Sequence, residues 1–289
     1  MWSTQNNRFE MPLDEIEDDM SWSQRGASFV TNPPNGLRRT RLHMLLLTKH
    51  NERGCKLRRG DVWQARQIRR YLRIVDRFRE LLLLCVHLTG GQPARGTELT
   101  NIRFRNGFLQ DRNVYIVHGH VMVVTRYHKS QSQHDKPKVV PRFLPWRVGQ
   151  ILAVYLAYVQ PFQEYLSAKM GERRGWSDYV WAGNQGAWET DRLTKLMKRE
   201  TQKWLKVPLT TLEYRHTAIA IGRVFVGERF GHGYASEAGG SEEPEVDEDD
   251  PLEMSAGHTG QTGISRYGVP MDIIKHLSSR SIDTFRPLS

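Results

Sequence analysis

Cysteine is nearly absent. The 289 residues hold two, Cys55 and Cys85, and neither stands in a Cys-x-x-Cys or Cys/His ligand spacing. That pattern excludes a disulfide-built scaffold and a structural zinc site, and it points to a reducing, intracellular setting. Long apolar runs are missing as well. A run such as Leu81-Leu82-Leu83-Leu84-Cys85-Val86 falls far short of the ~20 residues that cross a bilayer. The first residues are polar and acidic, unlike a secretory signal, so a soluble chain is expected. There is no repeat, no heptad array and no Gly-x-x-x-x-Gly-Lys loop of the kind that cradles nucleotide phosphates.

What is abundant is positive charge. The formal balance is +10, although nine carboxylates crowd into residues 237–253, a run without a single Lys or Arg. Without that run the remainder stands at about +19. A surface this basic exchanges its counterions for phosphates, which favours a nucleic-acid partner over the alternative, an anionic membrane surface.

Taken in order, residues 1–35 read as a poorly ordered arm, with an acidic cluster (Asp14, Glu15, Glu17, Asp18, Asp19) ending in Asn32-Pro33-Pro34-Asn35-Gly36. Residues 38–59 are basic. Residues 1–60 are thus expected to be a disordered or basic arm, or the remnant of a separate domain, ahead of a catalytic-type domain over 61–289. Asp61 is placed to cap a long helix in which Val62, Ala65, Ile68, Leu72, Val75, Leu82 and Cys85 share a face, stopped by Gly90-Gly91. Arg66, Arg69, Arg70, Arg73, Arg77 and Arg79 lie on the other face and are expected to be mostly solvated.

A second helix starts near Pro93-Ala94-Arg95. Alternating β-branched residues then predict strands over 114–117, 121–127 and 139–144, hence a small antiparallel sheet of about three strands beside helices. Helical periodicity returns over 148–166, 191–204 and from 210 through Phe225. Residues 235–254 read as an acidic, disordered insertion, and 271–277 as a short last helix. The fold class expected is α+β, mostly α.

Four pieces carry chemistry: Arg95 in Arg-Gly-Thr-Glu-Leu, a lysine after the second strand, Arg215 in Tyr-Arg-His-Thr, and His258 nine positions before Tyr267. Two guanidiniums on one phosphate offset the charge that grows on its oxygens during transfer. A lysine can protonate a leaving 5′-oxygen, a histidine can hydrogen-bond the phosphate, and a tyrosine can attack it.

This order and spacing resemble the catalytic domain of tyrosine recombinases, the phage-integrase-like enzymes, over about residues 61–275. Arg95 precedes Glu98-Leu99 as in the family's Arg-x-x-Glu-Leu helix, and Arg215-His216-Thr217 matches the latter half of its His-x-x-Arg-His-Thr helix. The wording Gly-Gln-Pro-Ala-Arg-Gly and Tyr-His-Lys-Ser is most similar to fungal Crypton-type mobile-element recombinases. The resemblance implies DNA cleavage and rejoining through a 3′-phosphotyrosine on Tyr267, with Arg95, Arg215 and His258 on the phosphate. Lys129 would be the acid, with Lys136 as its runner-up. Arg126, His128, Lys136, Lys138 and Arg266 are the candidate DNA contacts. It further implies duplex DNA as partner, self-association on that DNA, a nuclear location, and neither metal nor cofactor.

The chain departs from the family at Leu212, where the first histidine of the helix motif would stand. His216, adjacent to Arg215, points elsewhere on a helix and does not replace it. A catalytically decayed DNA-binding remnant and a type IB topoisomerase are the alternatives. Blander partners also compete for the arginines: Glu98 for Arg95, and Glu213 or Glu228 for Arg215.

Overall fold

The computed structural model of the chain describes residues 10–37, 44, 57–60, 62–108, 110–127, 138–171, 177–183 and 186–226. After two 3-10 turns (Leu13–Glu15 and Pro33–Asn35) come strands β1 (Arg58–Arg59) and β2 (Val62–Trp63), then helices α1 (Ala65–Thr89) and α2 (Gly96–Thr100). Strands β3 (Val114–Val117), β4 (His120–Tyr127) and β5 (Lys138–Phe143) follow. Next come α3 (Trp146–Val154), a π-helical turn (Tyr155–Val159) and α4 (Gln160–Lys169). Strands β6 (Ala182–Gly183) and β7 (Gly186–Ala187) and helices α5 (Thr190–Leu205) and α6 (Thr211–Val226) complete the series. This is a mixed α and β arrangement in which every sheet is small and antiparallel.

The three-stranded sheet has the order β3-β4-β5, with Val114 opposite Val123 and Val123 opposite Arg142. Alternation divides its residues. Val114, Ile116, Val121 and Val123 face the main core, where they meet α1, α2 and α3. Tyr115, Met122, Val124 and Phe143 pack on the opposite face with Met20. Helix α3 comes close to β4 because Gly149 has no side chain: a Cβ there would press on the Val121 side chain at 3.2 Å.

Four expectations need correction. The long helix begins at Ala65 rather than after Asp61, which lies outside the described residues. Gly60, with φ of +60°, instead turns β1 back onto β2, and Gln64 N–H donates to the Leu57 carbonyl at 2.9 Å. Val62 is therefore exposed rather than part of the helix face.

Secondly, Arg79 is buried, not solvated. Its guanidinium donates to the Ala182 carbonyl at 2.6 Å, pairs with Asp76 at 2.9 Å and lies over Trp188 at 4.5 Å, which ties α1 to β6 and β7. Arg77 is also engaged, with Glu80 and Glu200 at 3.2 and 2.6 Å. Glu80 takes Arg192 and Arg199 as well, so this network joins α1 to α5.

Thirdly, residues 10–37 are no loose arm. They form a strap whose Met11, Leu13, Phe29, Val30 and Leu37 belong to the main core. Met11 and the Gln150 amide exchange two hydrogen bonds, at 3.0 and 2.7 Å. Asp18 accepts the Ile116 N–H at 2.8 Å, which covers the outer edge of β3, and its other carboxylate oxygen lies 2.6 Å from the fully buried Arg112. The acidic cluster contains one residue that is a core ion-pair partner.

The helix expected over 148–166 is interrupted by the π-turn. Pro161 has no N–H to give to the turn before it, and its ring crowds that turn, so the helix widens ahead of it.

Candidate phosphate-binding site

Helix α1 ends where Gly90 N–H donates to the Val86 carbonyl at 3.0 Å; Gly91, with φ of +76°, then reverses the chain. Buried Pro93 and Ala94 lead into Arg95, the residue that caps α2. Glu98 closes that first turn: its carboxylate accepts the Arg95 backbone N–H at 3.2 Å.

Helix α6 starts by a reciprocal cap. The Thr210 hydroxyl and backbone N–H both donate to Glu213, at 2.8 and 2.6 Å, while Glu213 N–H donates back to the Thr210 hydroxyl at 3.1 Å. Glu213 is thereby committed to the cap, where these hydrogen bonds hold its pKa below the usual range, and it gives no ion pair to Arg215. Glu228, the other partner considered, lies outside the described residues.

Arg215 turns inward from α6 and is only 7% exposed, whereas His216 and Leu212 are exposed. The neighbouring Tyr214 sets its ring edge-on to His87 of α1, with centroids 5.0 Å apart. His87 is 2% exposed, and neither ring nitrogen has a hydrogen-bond partner among the described residues.

The charges carried by these elements converge on Glu98. Burial raises its carboxyl pKa, and three arginines oppose that rise, Arg142 most strongly, then Arg95 and Arg215. Arg142 and Arg215 also act on His87, and together with burial, the dominant cause, they hold its pKa down at about 3. At neutral pH the imidazole is uncharged. Three guanidiniums around one carboxyl group and a neutral imidazole leave these five residues with a net positive charge, drawn from α1, the start of α2, β5 and α6. That is the chemistry of a receptor for an oxyanion such as a phosphate.

Of the residues expected at the site, Arg95 and Arg215, 120 positions apart in the chain, both act electrostatically on Glu98. The blander reading gave Arg95 a salt bridge to Glu98; the bond observed is to the Arg95 backbone N–H, while the charges of Arg95, Arg142 and Arg215 all act on the carboxyl group. Arg126 and Lys138 stand where β4 and β5 leave the described sheet, so the hairpin leads directly into residues 128–137. Lys129, His128 and Lys136 in that segment lie outside the described residues, as do His258, Arg266, Tyr267, the acidic stretch 235–254 and the expected last helix over 271–277.

Two members of the site were not foreseen. Arg142 sits among apolar residues in β5, a charged side chain at an inward register position, and that was its only signal. His87 interrupts the apolar run of α1 one turn before Gly90.

No protein-family model matches the chain, and no solved structure matches it. Among the described residues no group of three or more His, Cys, Asp or Glu side chains is placed to hold a metal ion. Nor is any described helix long and apolar enough to cross a membrane.

Proposed function

We propose that the chain is a DNA strand transferase of the tyrosine-recombinase type, with a recombinase-like catalytic domain, acting on duplex DNA in the nucleus and self-associating there. Arg95 and Arg215 hold the two non-bridging oxygens of one DNA phosphate. The Tyr267 hydroxyl gives its proton to solvent and its oxygen bonds to phosphorus as the bond to the 5′-oxygen breaks, while Lys129 supplies the proton that the leaving 5′-hydroxyl needs. A second 5′-hydroxyl then reverses the step on the 3′-phosphotyrosine. His258 adds a hydrogen bond to the phosphate. Bond energy stays in the covalent intermediate, so the cycle consumes no nucleotide.

One observation carries this reading: Arg95 and Arg215, singled out from separate motifs, both act on Glu98 within one cluster of net positive charge. A second reading, a DNA-binding remnant without catalysis, is favoured by Leu212, which is 40% exposed and brings no imidazole to the site.

Covalent trapping separates the two. The full chain is incubated with a pool of nicked duplexes from which the cleaved end can diffuse, and denaturing gels compare it with Tyr267→Phe. An adduct lost in the variant supports strand transfer. Salt-sensitive binding with no adduct supports the remnant, and an adduct that survives Tyr267→Phe assigns the nucleophile elsewhere.

A further inference from the structure

The connection that delivers Arg95 opens on two residues without side chains of their own, Gly90 and Gly91, and the backbone of such a pair carries more conformational freedom than any other dipeptide. An arginine from another element supplies the anchor. Arg142 of β5 is 6% exposed, and one terminal nitrogen of its guanidinium donates to the Gln92 carbonyl, with the Gly90 carbonyl 3.5 Å away. Its Nε donates to the Thr125 hydroxyl on β4 at 3.0 Å, which fixes the plane of the fork. The same guanidinium is the strongest of the three positive charges acting on Glu98, and Glu98 accepts the backbone N–H of Arg95. Arg142 thus grips the chain just before Arg95, and its charge acts on the carboxylate one turn after it.

We infer that Arg142 is a positioning residue for Arg95: it locks the Gly90–Gln92 turn to the β4–β5 hairpin, so that the Arg95 guanidinium meets an incoming phosphate already aimed. The inference rests on the phosphate-site reading above. Arginine is required because a planar fork with separated donors spans a hydroxyl on one strand and carbonyls of a distant turn. A lysine keeps the charge but has a single donor centre. The same side chain at a site without function would only satisfy carbonyls in the core, and its loss would then weaken the fold without singling out Arg95.

A double-mutant cycle tests this on the full chain. Arg142→Lys, Arg95→Ala and the double variant are compared with wild type for thermal unfolding, DNA affinity and single-turnover adduct formation. Arg142→Lys is expected to bind DNA within about twofold of wild type yet to form the adduct roughly tenfold more slowly, because a small misplacement of a charge-stabilising group costs rate rather than affinity. In the Arg95→Ala background the same change is expected to cost less than about twofold, since its effect runs through a side chain already removed.

Equal slowing in both backgrounds, or no slowing in either, overturns the inference while leaving strand transfer intact. A wild-type chain that yields no Tyr267-dependent adduct instead refutes the catalytic reading. The same cycle is then read in DNA affinity with Arg142→Ala: effects smaller together than their product keep Arg142 as the residue that sets Arg95, and independent effects, or no DNA binding at all, overturn it.

Discussion

Replacing His87 by leucine should flatten the acid side of the stability profile. In the folded chain the imidazole stays neutral down to about pH 3, because burial and the positive charges of Arg142 and Arg215 all penalise its protonation. In the unfolded chain it titrates near 6.5. As pH falls through 6.5 the unfolded state therefore gains a proton that the folded state refuses, and stability is lost until the folded imidazole protonates at about pH 3. Between pH 7 and pH 5 the loss attributable to this one residue works out at about 2 kcal/mol, and at pH 4 about 3 kcal/mol. Against a typical domain stability of roughly 5–15 kcal/mol that is readily measured.

The assay is urea unfolding of wild type and His87→Leu at matched pH, with unfolding free energy taken from midpoint and slope. Burial raises the carboxyl pKa of Asp18 and Glu98, which pushes stability the other way as pH falls, but both variants share those groups and the difference isolates His87. The two curves should diverge by about 2 kcal/mol over that interval. Parallel curves from pH 7 to pH 5 would refute the neutral, buried imidazole and with it the net charge assigned to the site.

Other consequences can be checked separately. Arg112→Ala strands the Asp18 carboxylate in the core and should cost about 3–5 kcal/mol in urea unfolding, whereas replacing both partners together (Asp18→Leu with Arg112→Met) should cost clearly less. Gly119→Ala should destabilise by at least about 1–2 kcal/mol, since Gly119 has φ of +72° and a methyl group there would overlap the Asp14 carboxylate; adding Asp14→Ala should recover the overlap but not the backbone strain. On the strand-transfer reading, Arg215→Ala should slow adduct formation by roughly 10²- to 10³-fold in single-turnover trapping, with a far smaller change in thermal unfolding.

Local order was legible where one periodicity dominated. Strands β3 and β4 and helices α5 and α6 fall close to where β-branched alternation or a repeat near 3.6 places them. Arg95 was legible because its short motif also builds the start of a helix. Arg142 was not, because its role depends on carbonyls some fifty positions earlier in the chain, and a strand arginine by itself signals only an exposed edge. His87 looked like one more residue of an apolar helix face, and nothing local shows that Tyr214 and two arginines will surround it. Asp18 was hidden by its neighbours. In a cluster of five carboxylates each looks solvated, and the one with a partner is identified only by Arg112, 94 positions away.

The strap also sets a timetable for synthesis. Met11 completes its hydrogen bonds only with Gln150, 139 positions later, and Phe29 and Val30 pack into a core whose other members come mostly after residue 75. At a synthesis rate of roughly 5–20 residues per second, the ribosome takes about 7–28 seconds to cover that distance. For that interval the apolar side chains of the strap lack most of the core that buries them. The acidic residues interspersed among them then keep a waiting segment soluble, so the same carboxylates that disguise the strap in the sequence protect it until the rest of the domain exists.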